Sequence, residues 1–179
     1  MYSDADWGGD ISHRVSTSDY ILFVCCNQII WFSKKQNIVS RSSTESEYKA
    51  VANALFETLW VINILNNLCF PLHQLPTIYC YNPGATFLSK NHVLYSRVKH
   101  VTLDLHFVCY HVNIKSVCVI HVHGADQIAD TLTKGLPKSA FENNLFKLGL
   151  VIHYFILHLI QYRFSEPIQS KKVVRLGAL

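Results

Sequence analysis

The sequence predicts an α/β fold in which helices flank a mixed β-sheet, and three observations support this prediction. Two apolar runs at residues 20–26 and 29–32, joined by the polar pair Asn27 and Gln28, form the pattern of a β-hairpin. Later strand candidates are separated by helical segments, and such crossovers connect parallel strands. Half of the 179 residues are hydrophobic and only 16% are charged, which is typical of a globular domain with a real core.

The longest helix is predicted at residues 43–68, where apolar positions recur every three or four residues and form one buried face. Thr44 followed by Glu47 matches a capping box at its start, and the two preceding serines are further cap candidates. Glu45 is expected to be a solvent-exposed acid of the first turn. Taken alone, this segment indicates a well-capped amphipathic helix. The alternative is that Glu47 points into a metal site.

The remaining elements follow along the chain. Strands are predicted at residues 77–81 and 117–122, because residues that favour β-structure dominate both runs. Pro83 suits the first turn of a short helix, and Gly135 with Pro137 ends a later one. The predicted helices after the first are residues 85–90, 98–112, 125–134 and 141–148.

Composition and charge exclude several classes of protein. The net charge of +4 permits a polyanionic partner without requiring one. The six cysteines form no CxxC pair, and the N-terminus shows no secretory signal, so we expect reduced thiols and an intracellular location, cytoplasmic or nuclear. No histidine or cysteine spacing supports a zinc site. The apolar run at residues 148–162 is shorter than the ~20 residues a membrane span needs, so no membrane association is expected.

Several uncommon sequence blocks occur in a specific order. They lie within residues 2–7, 14–18, 33–36, 39–48, 97–108 and 126–137, and the fourth reads Val-Ser-Arg-Ser-Ser-Thr-Glu-Ser-Glu-Tyr. Together they closely resemble the ribonuclease H domain at the end of copia-type retrotransposon (retrovirus-related) Pol polyproteins, over residues 2 to about 150. The resemblance implies a ribonuclease H-like fold, with a five-stranded mixed sheet and helices on both sides.

The resemblance also implies an activity, which is cleavage of the RNA strand of an RNA–DNA hybrid by two Mg²⁺ (or Mn²⁺) ions held by four acids. Three of those acids fall on Asp4, Glu47 and Asp130, which become the candidate catalytic and metal-binding residues. The fourth position is occupied by Tyr81. A phenol stays protonated at neutral pH and a large ring would crowd the site, whereas Mg²⁺ requires charged oxygen ligands. We therefore expect weakened metal binding and largely lost cleavage.

Other departures from the family indicate a degenerate C-terminal fragment, ancestrally linked to a reverse transcriptase. The first strand is expected to be truncated, because apolar residues upstream of its acid are missing. Asp19 stands where the family often has glycine, which puts the following turn in doubt. We divide the chain into a ribonuclease H-like domain at 1–137, a family-like C-terminal helix at 138–150 and an unassigned tail at 151–179. The oligomeric state stays open.

Five basic residues are candidates for contacting the phosphates of an RNA–DNA hybrid. An ordinary solvated basic face explains them equally well. A catalytically silent nucleic-acid-binding module and a non-functional transposon relic are therefore kept as alternatives to the nuclease. The candidates are Lys34, Lys35, Arg41, Arg97 and Lys99.

Overall fold

The computed structural model describes residues 1–91 and 101–150, in which one five-stranded sheet is accompanied by four α-helices. This confirms the predicted α/β class and the mixed sheet. The tail at 151–179 lies outside the described residues. The strands are β1 (Tyr2–Asp6), β2 (Thr17–Val24), β3 (Asn27–Lys35), β4 (Thr77–Cys80) and β5 (Cys118–His121). The helices are α1 (Ser43–Asn67), α2 (Pro83–Lys90), α3 (Thr102–Asn113) and α4 (Lys138–Lys147), and the 3-10 turns Gly124–Asp126 and Ile128–Leu132 precede α4.

The strand order is β3-β2-β1-β4-β5, which places β1 at the centre of the sheet. β1 pairs antiparallel with β2, and β4 pairs parallel with both β1 and β5. The turn between β2 and β3 lies at Cys25 and Cys26, two residues earlier than predicted. Asn27 already pairs with Val24, and Cys25 makes the turn with a φ of 54°.

The central strand is short. β1 has five residues and β2 has eight, so residues 22–24 of β2 pair with β3 alone within the part of the chain that the structure describes. The ladder to β4 includes Met1, whose carbonyl accepts from Tyr79 N at 2.8 Å. The first acid of the candidate site, Asp4, therefore lies on a strand that is paired on both sides, and its own ladder partner is Asp19 of β2.

The hydrophobic core lies between the sheet and the helices α1, α2 and α3. Each large apolar side chain that is fully buried there stabilises the fold by about 1.5–3 kcal/mol. The central members, all at most 1% exposed, are Tyr48, Val51, Leu55, Ile78, Leu105, Val108 and Val119.

Helix α1 begins at one of the three predicted cap candidates, and the predicted capping box of Thr44 and Glu47 is not formed. Ser42 is the N-cap, and its Oγ accepts from Glu45 N at 3.2 Å. Glu45 is buried, reaches back to Arg41 N at 2.9 Å and pairs with Lys49, so the predicted exposed acid is wrong. Residues two apart on a helix point about 200° apart. Because Glu45 serves the cap, Glu47 is directed to another side of the helix.

The helix predicted at 125–134 is also wrong. Two 3-10 turns occupy the segment, and Gln127 between them has an extended backbone. The Gln127 side chain is 1% exposed and donates to the Ser3 carbonyl at 2.8 Å. This bond to β1 interrupts the helix and fixes the second turn against the central strand.

Candidate acidic site beside the central strand

The site is built on Asp4, the middle residue of β1. Its direct partner in the antiparallel ladder is Asp19 of β2, and both residues are 0% exposed. Directly opposite residues of an antiparallel pair project to the same face of the sheet. The two carboxyl groups therefore share one buried environment.

Glu47 meets this pair from α1. It is 4% exposed, lies near the charge of Asp4, and accepts from Cys80 Sγ at 3.8 Å. Burial and then the charge of Asp4 raise the pKa of Glu47 far above its usual value. The neutral acid is favoured at neutral pH.

Asp130 approaches from the other direction, on the 3-10 turn Ile128–Leu132. Its Oδ1 accepts from Lys134 Nζ at 2.6 Å. Burial first, and then the charge of Asp4, raise the pKa of Asp130 to about 6. The three acids that the family resemblance assigned are thus brought together by β1, α1 and this turn.

Lys134 provides the positive charge of the site. Its Nζ lies 2.7 Å from Asp4 Oδ2 and 2.6 Å from Asp130 Oδ1. Burial alone would lower the pKa of the ammonium, but the charges of Asp4 and Asp130 outweigh burial and raise it. Lys134 therefore stays charged throughout the physiological pH range.

Asp19 was missed as a member of the site. In the sequence, Asp19 stands out only as an acid where the resembled family often has glycine, whereas the structure places it within β2. Its Oδ2 accepts from Thr133 Oγ1 at 2.6 Å, while Oδ1 has no hydrogen-bond partner within the described part of the chain. Burial and then the charge of Asp4 raise the pKa of Asp19 to about 8. Pairing the first two strands across the loop at residues 7–16 would have placed it opposite Asp4.

Tyr81 directly follows β4, at the position where the resembled family has its fourth acid. The residue is 46% exposed. A Cβ on Gly124 would lie 3.1 Å from the tyrosine Cε2, and the rings of Tyr81 and His121 are 6.4 Å apart. Tyr81 therefore packs beside Gly124 and contributes an aromatic rim in place of a carboxylate.

These residues do not fit a two-ion centre as they are arranged. In residues 1–91 and 101–150, no three histidine, cysteine or acidic side chains are placed to hold a metal ion. Mg²⁺ needs charged oxygens in near-ideal octahedral geometry. Here Glu47 and Asp19 favour the neutral form. The fourth ligand position of the resembled family is the phenol of Tyr81, and the ammonium of Lys134 bridges Asp4 and Asp130.

Three of the basic candidates are described, and all three are exposed. Lys34 and Lys35 end β3 and border a cavity of about 390 Å³ together with Lys49. Lys35 also pairs with Asp10 at 2.7 Å. Arg41 lies just before α1, the helix that carries Glu47. The candidates Arg97 and Lys99 lie outside the described residues.

Comparison with known proteins identifies the family. The chain is 48% identical over 150 residues to the retrovirus-related Pol polyprotein from transposon RE2 of Arabidopsis thaliana, which covers 84% of the chain and 10% of that protein. It is 48% identical over 149 residues (83% of the chain, 10% of the relative) to the same kind of polyprotein from transposon RE1 of that plant. The chain belongs to the family of copia-type, retrovirus-related Pol polyproteins.

A third polyprotein of this family, from transposon TNT 1-94 of Nicotiana tabacum, is 36% identical over 142 residues, which are 79% of the chain and 10% of the relative. The chain thus spans about a tenth of the length of the Pol polyproteins it matches. No family model and no solved structure matches the chain. None of the helices in residues 1–91 and 101–150 is long and apolar enough to cross a membrane.

Proposed function

We propose that the chain is the ribonuclease H-like module of a copia-type Pol polyprotein that has kept its fold and its acidic site but has lost most of its cleavage activity. By descent it is a metal-dependent endonuclease that cuts RNA in RNA–DNA hybrids. The observation that carries the proposal is the convergence of Asp4, Glu47 and Asp130 on one site with Tyr81 in the fourth position.

The chemistry of the site supports lost cleavage. Two divalent ions would have to stabilise the attacking and the leaving oxygens of the phosphodiester, and each needs several anionic ligands. Tyr81 places a phenol where the resembled family has a carboxylate. Burial further favours protons on Glu47 and Asp19, which lowers the number of charges available for a metal.

A cleavage assay with a labelled RNA–DNA hybrid in Mg²⁺ or Mn²⁺ tests this proposal. We expect little cleavage by the unmodified chain and a partial return of activity in Tyr81→Asp. Tyr81→Phe is the matched control, since it changes the ring without adding a carboxylate. Robust cleavage by the unmodified chain that is abolished by Glu47→Gln would refute the proposed loss of activity.

Hybrid binding without cleavage is the second candidate function. The exposed ends of Lys34 and Arg41 and the net charge of +4 favour it. Each phosphate neutralised by a basic side chain changes the slope of log K against log[salt] by roughly −0.7 to −0.9. Lys34→Ala should therefore make that slope shallower, whereas Lys138→Ala on α4 should not. Binding that is insensitive to salt would reject this function.

The wider context of the module is part of the same proposal. Because the Pol relatives are about ten times longer, we infer that the module was joined to other polyprotein domains, including a reverse transcriptase. An RNA–DNA hybrid as partner requires a compartment that contains both nucleic acids. The proposed location is therefore intracellular, in the cytoplasm or the nucleus.

A further inference from the structure

We propose that Lys134 is the resident cation of the acidic site, so that the folded chain needs no divalent ion there. Its ammonium group bridges Asp4 of β1 and Asp130 of the 3-10 turn Ile128–Leu132, at 2.7 and 2.6 Å. Asp4 is fully buried, whereas the lysine side chain is 32% exposed. The inference rests on the proposed function because it involves the same acids. It predicts divalent-ion binding and the stability of the fold, whereas the proposed function predicts cleavage.

Local structure directs the lysine into the site. Lys134 N donates to the Asp130 carbonyl at 3.0 Å, so the backbone continues the turn and places the two side chains on one side. The preceding residue, Thr133, donates to Asp19 from the same segment. Two successive side chains after the 3-10 turn thus contact three acids of the site. Lys134 is therefore part of a built contact, unlike the exposed lysines at the end of β3.

The charges explain why a cation is required. Asp4 Oδ2 and Asp130 Oδ1 lie within 2.7 Å of the same lysine nitrogen, and like charges that close together destabilise the folded state unless they are compensated. Removal of one partner from a buried ion pair leaves an uncompensated charge and is strongly destabilising. A single ammonium compensates both carboxylates at once.

A divalent ion would compete with this arrangement. It would need oxygens of Asp4 and Asp130 as ligands, and those are the two groups that Lys134 contacts. The lysine would have to leave before the ion could bind. The consequence is that loss of the Lys134 charge should strengthen divalent-ion binding and weaken the fold in the absence of ions.

Thermal unfolding of the full chain tests this inference. Lys134→Met removes the charge and keeps an unbranched side chain of similar length. The control is Lys138→Met, because Lys138 is 89% exposed and lies 3.9 Å from Glu142. In EDTA we expect a lower Tm for Lys134→Met than for the unmodified chain or the control. Ca²⁺ and Mg²⁺ should raise the Tm of Lys134→Met alone, and Ca²⁺ separates binding from hydrolysis.

Mn²⁺ binding followed by electron paramagnetic resonance gives an independent measurement on the unmodified chain. We expect the unmodified chain to bind Mn²⁺ about tenfold or more weakly than Lys134→Met does. The reason is that the ion must break the contact of the Lys134 ammonium with the acids before it can bind. The inference is overturned by an unmodified chain that binds Mn²⁺ as tightly as Lys134→Met. It is also overturned if Mg²⁺ raises both Tm values equally, or if Lys134→Met in EDTA is as stable as the unmodified chain.

If Lys134→Met does not fold, the same two measurements on the unmodified chain test the inference. Unchanged Tm in Mg²⁺ and no tight Mn²⁺ binding support Lys134 as the resident cation, and a large rise in Tm or tight binding contradicts it. These outcomes are distinguishable from failure of the proposed function. A chain that binds Mn²⁺ tightly without cutting a hybrid refutes only the role of Lys134, whereas cleavage of the hybrid refutes the proposed loss of activity.

Discussion

Replacement of Asp19 by asparagine should stabilise the chain at neutral pH. Asp19 is fully buried beside Asp4, and its pKa is raised from 3.8 to about 8. At pH 7 the unfolded chain carries the ionised form, and folding must add a proton to this carboxyl. An asparagine has no proton to take up and can still accept the hydrogen bond of Thr133 Oγ1, which now ends on Asp19 Oδ2 at 2.6 Å.

The magnitude follows from the two pKa values. The group is about three pH units above its unfolded pKa at pH 7, and each unit is worth about 1.4 kcal/mol, so the upper limit is roughly 4 kcal/mol. Because the folded-state pKa of Asp19 is raised, its contribution to stability is fully present below about pH 4. It is lost progressively as pH rises to about 8. Asp19→Asn should remove this part of the pH dependence.

Urea unfolding between pH 4.5 and 8.5, followed by circular dichroism, measures the effect. The free energy of unfolding of the unmodified chain should fall more steeply with rising pH than that of Asp19→Asn. Asp126→Asn is the control, because the pKa of that exposed acid is lowered by its hydrogen bond with Lys147, so the opposite, smaller change is expected. An Asp19→Asn variant that is less stable at pH 7, or whose pH dependence is unchanged, would refute the reasoning.

Two further predictions concern the segments that position the acids. Ser42→Ala removes the N-cap of α1 and should lower the free energy of unfolding by about 1 kcal/mol, measured by urea titration; no change would show that Ser42 Oγ does not cap the helix. Gln127→Ala breaks the buried bond to the Ser3 carbonyl and should destabilise the chain by ~1–3 kcal/mol, with faster amide exchange at Asp130 and Lys134. Unchanged exchange there would mean that Gln127 does not anchor the turn.

The sequence was sufficient for the parts of the structure that depend on local patterns. The hairpin, the long helix and the separation of strands by helices follow from periodicity and from residue preference. The positions of Asp4, Glu47 and Asp130 followed from the order of the sequence blocks. The structure brings these acids together because the central strand, the start of α1 and the late turn converge beside β1.

The errors arose where a contact distant in sequence decides the local structure. Gln127 looks like an ordinary helical residue until its bond to Ser3, 124 residues away, is known. Asp19 differs in the sequence only from the glycine that the resembled family often has, and its role depends on the register that places it opposite Asp4. The choice of Ser42 over Thr44 as cap depends on the burial of Glu45, which the helical pattern alone does not fix.

The central claim is that the acidic site of this Pol module is an inherited nuclease site without its chemistry. Single-turnover cleavage of an RNA–DNA hybrid in Mn²⁺ tests it most directly, with the unmodified chain, Tyr81→Asp and the double variant Tyr81→Asp/Glu47→Gln compared at equal concentration. We expect measurable cleavage in Tyr81→Asp only. Efficient cleavage by the unmodified chain that depends on Glu47 would contradict the claim, as would a Tyr81→Asp variant that folds, binds Mn²⁺ and hybrid, and still cuts nothing.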